Sequence, residues 1–209
     1  MGLPHERTLQ SPVMGVGGPS PQIPAGQVIS RQEDSASSLV LLTININAWA
    51  PFRARWSEEG VPQEIQSATV LLLQEHKLTT QEQCSDATEW CAKQGWKAVF
   101  RPAATLESGK PSGGVAILLA DRADIGITDP QLKAPGFEHR LLGLRLVAPG
   151  LSPTILVSAY LQAGGGMNVT NRTLLSTIAQ WQEEAQAPVL VGGDFNVKVD
   201  LIKGTDLLL

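Results

Sequence analysis

The sequence predicts a mixed α/β fold, and three observations support this prediction. Short apolar runs that are partly β-branched recur along the chain, as buried strands require. Segments with apolar residues at helical spacing lie between several of these runs. Apolar residues make up 43% of the 209 residues and charged residues 17%, which suits a domain with a core and excludes a wholly disordered chain.

The predicted strands are short apolar runs bounded by polar or turn residues. They are Leu39–Asn45, Thr69–Gln74, Gly113–Leu119, Arg140–Val147, Thr154–Tyr160 and Pro188–Gly193. In Arg140–Val147 the residues at alternate positions are leucines, which is the period of a strand. Only a short connection separates this run from Thr154–Tyr160, so we expect these two strands to pair.

Three stretches between the strands predict helices. Residues 51–66 favour a helix, although a glycine and a proline within them disfavour a continuous one. Thr79 and Glu82 have capping-box spacing, which predicts a helix from Thr79 to Gly95 that ends at this glycine. Asn171 can cap a further helix. One face of that helix carries Leu174, Leu175, Ile178 and Trp181.

The first 38 residues differ from the rest of the chain. They contain five prolines and no Phe, Trp or Tyr, so they cannot bury enough apolar surface to offset the entropy cost of ordering. We expect residues 1–38 to be a disordered leader and residues 39–209 to form one domain. No apolar run approaches the roughly 20 residues that cross a bilayer, and no signal peptide is evident, so an intracellular protein without a membrane segment is expected.

Charge and cysteine content exclude some classes of function. The chain carries 16 basic and 20 acidic residues, a net charge of −4, which disfavours binding of nucleic acid by charge alone. A metal-dependent site with local basic residues remains compatible with this balance. Two cysteines exclude a disulfide-dense scaffold and a four-cysteine zinc site.

Polar residues follow several of the predicted strands directly. They are Asn45 and Asn47, Glu75, Tyr160, and Asp194 and Asn196. Ligands of open α/β sheets bind beyond the strand ends, so these residues predict one shared site. Hard oxygen ligands of this kind suit Mg²⁺, which takes one or two carboxylates together with water and substrate phosphate.

Each of these residues also has a simpler explanation when taken alone. Asn45 and Asn47 can be turn residues, and Glu75 can pair with Lys77 at a solvated strand end. Tyr160 can be a core residue with its hydroxyl at the surface. The segment Gly192–Asp194 can form a tight turn. The shared site is favoured because all of these residues come directly after an apolar strand.

The motifs at these positions are similar to those of a known superfamily. Thr43–Asn47, Leu73–Lys77, Ser112–Leu118, Val157–Tyr160 and Val191–Asn196 follow one another in its order, and the L-Q-E and G-D-F-N segments together are the most specific of them. The chain resembles the endonuclease/exonuclease/phosphatase (DNase I-like) superfamily over about three quarters of its length. Its motifs are most like those of abasic-site endonucleases and of the endonuclease domains of non-LTR retrotransposons.

The resemblance implies both a fold and a reaction. The fold would be a four-layer α/β sandwich of two mixed β-sheets flanked by helices. The reaction would be phosphodiester hydrolysis with Mg²⁺ or Mn²⁺, most simply by a DNA endonuclease of retrotransposon or repair type, which would require access to the nucleus. DNA would be the substrate, and no membrane is implied.

The resemblance also implies a role for each matched residue. Glu75 would be the metal ligand, and Asn45 would help to hold the metal and its waters. Asn47, where many relatives have Asp, would contact substrate, and Tyr160 would lie beside the scissile phosphate. Asp194 would orient or deprotonate the attacking water. Asn196 would hydrogen-bond a phosphate oxygen.

The sequence departs from the family pattern in two places. Leu161-Gln162 follows Tyr160, where abasic-site relatives have Pro-Asn. The family domain ends in a Ser-Asp-His motif whose histidine acts at the phosphate, and this motif has no counterpart after Asp194. The family also has a later Asp on the metal side of the site, and Asp200 and Asp206 come too soon in the sequence to be that residue. The sequence has three histidines. His5 lies in the leader, His76 is expected at the rim of the pocket, and His139 is expected to be solvated.

These departures lead to four expectations. The chain is expected to lack the family's C-terminal strands, so that its second sheet is incomplete. It is then expected to have exposed apolar edges that promote aggregation. Its activity is expected to be weak or absent. The alternative function is therefore a catalytically inactive fragment that retains metal or nucleic-acid binding.

Overall fold

Two four-stranded β-sheets pack face to face, with helices on their outer sides. The computed structural model describes residues 39–202. The predicted leader and the last seven residues of the chain lie outside this range. The predicted mixed α/β fold is confirmed, and both sheets contain parallel and antiparallel pairs.

Six strands lie where the sequence predicted them, whereas those at Trp96–Arg101, Ala104–Thr105, Pro111–Ser112 and Gly126–Leu132 were not predicted. The strands are β1 (Leu41–Asn45), β2 (Val70–Gln74), β3 (Trp96–Arg101), β4 (Ala104–Thr105), β5 (Pro111–Ser112), β6 (Val115–Ala120), β7 (Gly126–Leu132), β8 (Leu141–Val147), β9 (Thr154–Tyr160) and β10 (Val189–Asp194). The helices are α1 (Trp49–Glu58), α2 (Gln63–Ser67), α3 (Gln81–Lys93), α4 (Val169–Ala185) and α5 (Val199–Ile202). No helix within residues 39–202 is long and apolar enough to cross a membrane.

The strand order places one parallel pair at one side of each sheet. The first sheet has the order β1-β2-β6-β3, and the second has the order β10-β9-β8-β7. β1 is parallel to β2, and β9 is parallel to β10, while the other pairs are antiparallel. The predicted pairing of Arg140–Val147 with Thr154–Tyr160 is confirmed by the β8–β9 ladder. Parallel strands end on the same edge, so each pair delivers the residues that follow it to one place.

The layers follow from the alternation of side chains along each strand. On β2, Leu71 and Leu73 face the helices of the first sheet, whereas Val70 and Leu72 face the second sheet. All four are fully buried, because a central strand covered on both sides has no solvent face. Helix α4 covers the outer face of the second sheet with the predicted leucine, isoleucine and tryptophan face.

The helix boundaries differ from the prediction for local reasons. Residues 51–66 form two helices, α1 and α2, because Gly60 has a φ of 81° and Pro62 precedes the second helix. The capping box of α3 is formed by Thr80 and Gln83, one residue later than expected. The Thr80 Oγ1 accepts from the Gln83 N–H at 3.2 Å, while the Gln83 side chain accepts from the backbone ahead of it.

Helix α4 begins three residues earlier than predicted. Asn168 is its N-cap, and its Oδ1 accepts from the Asn171 N–H at 2.9 Å. Asn171 is instead a fully buried residue that fixes the preceding loop, since its side chain bonds the N–H of Gln162 at 2.7 Å and the carbonyl of Gly166 at 2.7 Å. Leu161, at the departure from the family pattern, is fully buried in the core beneath α4.

Two large apolar side chains are exposed on the edge strands of the second sheet within the described residues. β1 and β10 are each at the edge of their sheet there. Leu190 on β10 is 43% exposed, and β7 at the opposite edge exposes Ile127. Strand β7 was not predicted, because its sequence contains glycine, aspartate and proline.

Candidate active site

One amide side chain joins both predicted carboxylates at the edge where the parallel strands end. The Asn45 Nδ2 donates to Glu75 Oε1 at 2.9 Å and to Asp194 Oδ2 at 2.8 Å. The two carboxylate oxygens are therefore no farther apart than the sum of these distances. Asn45 ends β1, Glu75 follows β2, and Asp194 ends β10, so the predicted site residues from both sheets do converge.

We call Asn45, Asn47, Glu75, Tyr160, Asp194 and Asn196 the strand-end cluster. The backbone N–H of Asn47 donates to Asn45 Oδ1 at 3.0 Å. Because a backbone N–H can only donate, this bond fixes which end of the Asn45 amide is oxygen and turns its nitrogen toward the carboxylates. In this arrangement Asn45 acts as a hydrogen-bond donor that holds Glu75 and Asp194 together.

Lys77 supplies a positive charge to the cluster. Its Nζ donates to Asn47 Oδ1 at 2.6 Å and lies 3.6 Å from Glu75 Oε2. The pairing of Glu75 with Lys77, considered as an alternative to a site, therefore exists within the site. Both side chains are more than two thirds buried, so the pair is less screened than a surface salt bridge.

Tyr160 ends β9 and lies between an acidic and a basic group. Glu75 is close enough to its hydroxyl to affect its pKa, and the Arg140 guanidinium carbon lies 5.0 Å from the centre of its ring. Burial, the hydrogen bond to Glu75 and the negative charges of Glu75 and Asp194 raise the pKa of Tyr160 to about 12, against the opposing effect of Arg140. The phenol therefore stays protonated at neutral pH and is a hydrogen-bond donor.

Burial also affects Arg140, the cation beside this tyrosine. It lowers the pKa of the guanidinium, while Tyr160 and Glu75 raise it. The side chain also makes a long hydrogen bond of 3.4 Å from Nη1 to the Tyr160 carbonyl. Arg140 therefore places a half-buried positive charge at the ends of the central strands.

Hydrogen bonds between side chains and backbone groups hold the segment around Asp194 and Asn196. The Asp194 Oδ1 accepts from the Asn196 N–H at 3.2 Å, and the Asn196 Nδ2 donates to the Leu161 carbonyl at 3.0 Å. Gly192 and Gly193 lie in strand β10 and do not form a tight turn. A Cβ on Gly192 would lie 2.5 Å from Leu72 Cδ1 in the facing sheet, so glycine permits the close approach of the sheets at this point.

Four residues at or beside the site have left-handed backbone conformations. The φ angles of Asn47, Glu75, Lys77 and Asn196 are 57°, 58°, 59° and 49°. Asparagine tolerates this region, but glutamate and lysine adopt it at a cost of roughly 1–2 kcal/mol each. Strain of this kind is concentrated at functional sites, where it aims side chains that a regular strand would direct elsewhere.

Neither histidine of the described residues is placed as predicted. His76 is only 1% exposed, so it is a core residue and not part of a pocket rim. Its Nε2 lies 3.0 Å from the Arg101 carbonyl and its Nδ1 accepts from the Leu78 N–H at 3.1 Å. Burial lowers its pKa to about 4, so the ring is neutral. His139, expected to be solvated, is half-buried with its ring against Gly113.

The donor set of the cluster fits a hard divalent cation. No group of three or more His, Cys, Asp or Glu side chains within residues 39–202 is arranged to hold a metal ion. Mg²⁺ does not need such a group, because it retains water and takes one or two carboxylates together with substrate phosphate. Glu75 and Asp194, joined through Asn45, provide two carboxylates of this kind.

Sequence reasoning did not include in the site four residues that the structure places at or beneath the cluster. Lys77 and Arg140 supply its charge, and Gln74 and Ser158 form hydrogen bonds beneath it. Ser158 had a signal in the sequence, because it is a polar residue within an apolar strand. Arg140 had none, since a basic residue at the start of a strand is ordinarily solvated.

Comparison with solved structures identifies the fold. An AP endonuclease from Archaeoglobus fulgidus is similar with a TM-score of 0.50 and 17% identity, over 75% of this chain and 57% of that chain. ANGEL2, a 2',3'-cyclic phosphatase, gives 0.46 and 17%, over 73% and 48%. Truncated Caenorhabditis elegans TDP2 gives 0.40 and 18%, over 64% and 52%. The sequence matches no protein-family model and no curated protein.

The similarity to the AP endonuclease confirms the predicted fold. The chain has the endonuclease/exonuclease/phosphatase (DNase I-like) fold, with two mixed sheets between layers of helices. It spans about half of the length of the solved structures that it matches.

Proposed function

We propose that this chain, built on the endonuclease/exonuclease/phosphatase fold, hydrolyses phosphodiester bonds with the help of a divalent metal ion. The observation that carries the proposal is the Asn45 amide nitrogen, which holds the Glu75 and Asp194 carboxylates together at the shared strand ends. Two carboxylates from different sheets, with Lys77 and Arg140 beside them, form a site for a phosphate group and a cation. Such a site is difficult to explain as a structural feature, because it concentrates charge and backbone strain.

The metal we propose is Mg²⁺, with Mn²⁺ as a substitute. Glu75 would hold it, and Asn45 would fix the position of this carboxylate. A bound Mg²⁺ would polarise a phosphoryl oxygen and stabilise the charge that develops on it. The basis for this assignment is the set of oxygen donors at the site.

The remaining residues of the cluster have complementary roles in the proposed reaction. Asp194 would orient an attacking water and accept its proton, and hydrogen bonds to both carboxylate oxygens hold the side chain in one position. Tyr160, with its pKa of about 12, would donate its single hydroxyl hydrogen to a phosphate oxygen in place of Glu75 and does not act as a base. Asn196 and Asn47 can donate to the phosphate or the sugar of the substrate, because both side chains are exposed.

DNA is the substrate class that we propose, for an endonuclease of repair or retrotransposon type. The net charge of −4 leaves the site itself as the source of attraction for a polyanion, and Lys77 and Arg140 supply it. The A. fulgidus structure with the same fold is an AP endonuclease. A protein that cuts chromosomal DNA requires access to the nucleus, so we propose a nuclear location for this role.

The test is a nicking assay on supercoiled plasmid and on a duplex oligonucleotide with one abasic site, with Mg²⁺ or Mn²⁺. Glu75→Gln and Asp194→Asn each remove one charge with little change in shape and are expected to lower the rate on the order of 10²–10⁴-fold. Glu58→Gln, at an exposed position of α1, is the charge-matched control and should leave the rate unchanged. Equal rates for all three variants would refute the assignment of the site.

A second candidate function is binding of metal or nucleic acid without catalysis. It is favoured by one observation: neither His76 nor His139, the histidines within residues 39–202, hydrogen-bonds to the strand-end cluster, and His76 is held neutral in the core. Calorimetry with Mn²⁺ separates the two functions. Binding that Glu75→Gln abolishes, in a protein that does not nick DNA, would establish the binding function and exclude the catalytic one.

A further inference from the structure

A buried polar link joins the two sheets directly beneath the strand-end cluster. Gln74 is 1% exposed and Ser158 is fully buried. The Gln74 Nε2 donates to Ser158 Oγ at 3.0 Å across the interface, and Ser158 Oγ donates to the Leu73 carbonyl at 3.1 Å. On the other side, the Gln74 Oε1 accepts from Thr43 Oγ1 at 3.2 Å. The link therefore connects β1, β2 and β9.

The rest of the interface between the sheets is apolar. It contains residues such as Leu72, Ile117, Leu142 and Leu156. Apolar contacts are non-directional, so they favour close packing but constrain the offset between the two sheets less sharply than a hydrogen bond does. Hydrogen bonds in a medium of low dielectric are directional and costly to break, so a polar link at one level does fix that offset.

The position of the link relates it to the site. Thr43 precedes Asn45 by two residues and Ser158 precedes Tyr160 by two, so each shares a strand face with its cluster residue. Gln74 directly precedes Glu75. The Asn45 amide must then reach from the first sheet to Asp194 on the second at 2.8 Å. A shift of the sheets by a fraction of an ångström would lengthen that bond beyond a useful distance.

We propose that Gln74 and Ser158 are positioning residues, which set the separation of Glu75 on one sheet from Tyr160 and Asp194 on the other. They act through the backbone ends that carry these side chains and touch neither metal nor substrate. The expected effect of these residues on metal binding rests on the proposed function. Their expected effect on the distance between Asn45 and Asp194 rests only on the contacts described above.

Three variants test the proposal. Ser158→Ala removes the bond between the sheets and leaves Gln74 Nε2 without this partner. The double variant Gln74→Leu with Ser158→Ala replaces both polar partners by apolar groups, so it should recover much of the stability that Ser158→Ala loses. Leu156→Val is the matched control, because it lies on the same strand and faces the same interface but makes no polar link.

The first measurement needs neither metal nor activity. The side-chain amide of Asn45 is recorded by ¹⁵N NMR in EDTA and assigned by its loss in Asn45→Asp. The protons of this amide should exchange with solvent at least about tenfold faster in Ser158→Ala and in the double variant, which we call the link variants, than in the wild-type protein. The reason is that the hydrogen bond to Asp194 is lengthened in both. The exchange rate should be unchanged in Leu156→Val even if that variant is less stable. In the double variant, the recovery of stability should not return the exchange rate to the wild-type value.

The second measurement is the dissociation constant for Mn²⁺. Loss of a residue that orients a metal ligand typically weakens affinity 10–100-fold, so about tenfold weaker binding is expected in both link variants but not in Leu156→Val. Exchange rates that follow global stability alone, and are the same in Ser158→Ala and Leu156→Val, would overturn the proposal. If the wild-type protein binds no Mn²⁺, the proposed function fails. The exchange rate of the Asn45 side-chain amide then decides by itself whether Gln74 and Ser158 are positioning residues.

Discussion

Protonation of His76 should make the stability of this protein depend on pH between pH 7 and pH 5. Burial lowers the pKa of the ring from 6.5 to about 4, more than the hydrogen bonds to the Val115 and Arg101 carbonyls raise it. The unfolded chain takes up a proton near pH 6.5, whereas the folded protein does so only near pH 4. The stabilising contribution is therefore complete above pH 6.5 and is lost as the pH falls through this window.

The magnitude follows from these two pKa values. At pH 5 the unfolded state is almost fully protonated at this residue and the folded state is hardly protonated, which corresponds to a loss of about 2 kcal/mol relative to pH 7. Most carboxylates are still ionised at pH 5, so they contribute little to the difference. The lowered pKa of His139 acts in the same direction, and a comparison of two variants that both retain His139 cancels its effect.

The assay compares the wild-type protein with His76→Gln. Glutamine retains an N–H that can reach the carbonyl oxygens around the ring, but it gains no charge on acidification. Urea unfolding in EDTA is followed by tryptophan fluorescence, since Trp49 and Trp56 belong to the aromatic cluster that includes Phe100, which the His76 ring contacts. The free energy of unfolding should fall by about 2 kcal/mol more in the wild-type protein than in His76→Gln between pH 7 and pH 5. Equal losses in the two proteins would refute the account of His76 as a buried neutral ring.

Two further predictions concern stability. Thr80→Ala should cost about 1 kcal/mol by removing the cap of α3, and Thr79→Ala clearly less, as measured by thermal unfolding; the reverse order would place the cap at Thr79. Trp56→Phe should cost about 1–2 kcal/mol less than Trp181→Phe, because the buried Trp56 Nε1 has no hydrogen-bond partner whereas Trp181 Nε1 donates to a backbone carbonyl at 3.2 Å. Equal costs for the two tryptophans would show that the Trp56 indole N–H has a compensating interaction, such as a neighbouring ring.

The sequence predicted well those strands whose own residues favour a buried strand without help from a neighbouring strand. Thr154–Tyr160 has the predicted bounds in the structure, because a continuous apolar run can only be buried on both faces. Strand β7 could not be predicted, since it forms by pairing with β8 and its composition favours a turn. The caps of α3 and α4 were displaced because several Thr and Asn residues compete locally, and tertiary contacts such as those of Asn171 select between them.

The candidate site was predictable in part for a related reason. Asn45, Glu75 and Asp194 each follow an apolar strand, and parallel strands bring such residues to one edge whatever the details of packing. The roles of Arg140 and Ser158 depend on how one sheet lies on the other, which no local pattern in the sequence encodes. The same limit applies to His76, whose burial depends on Gly114, because a Cβ at that position would lie 2.6 Å from the imidazole ring.

The left-handed backbone at Asn47, Glu75, Lys77 and Asn196 has a consequence for directed evolution of this protein. Glycine adopts this conformation without steric cost, so a library screened for thermal tolerance should accumulate glycine at these four codons. A library screened for turnover should reject the same substitutions, since they delete the side chains that the proposed chemistry uses. The four positions would then be those at which the two screens disagree most, and a map of that disagreement would outline the site without any substrate being known.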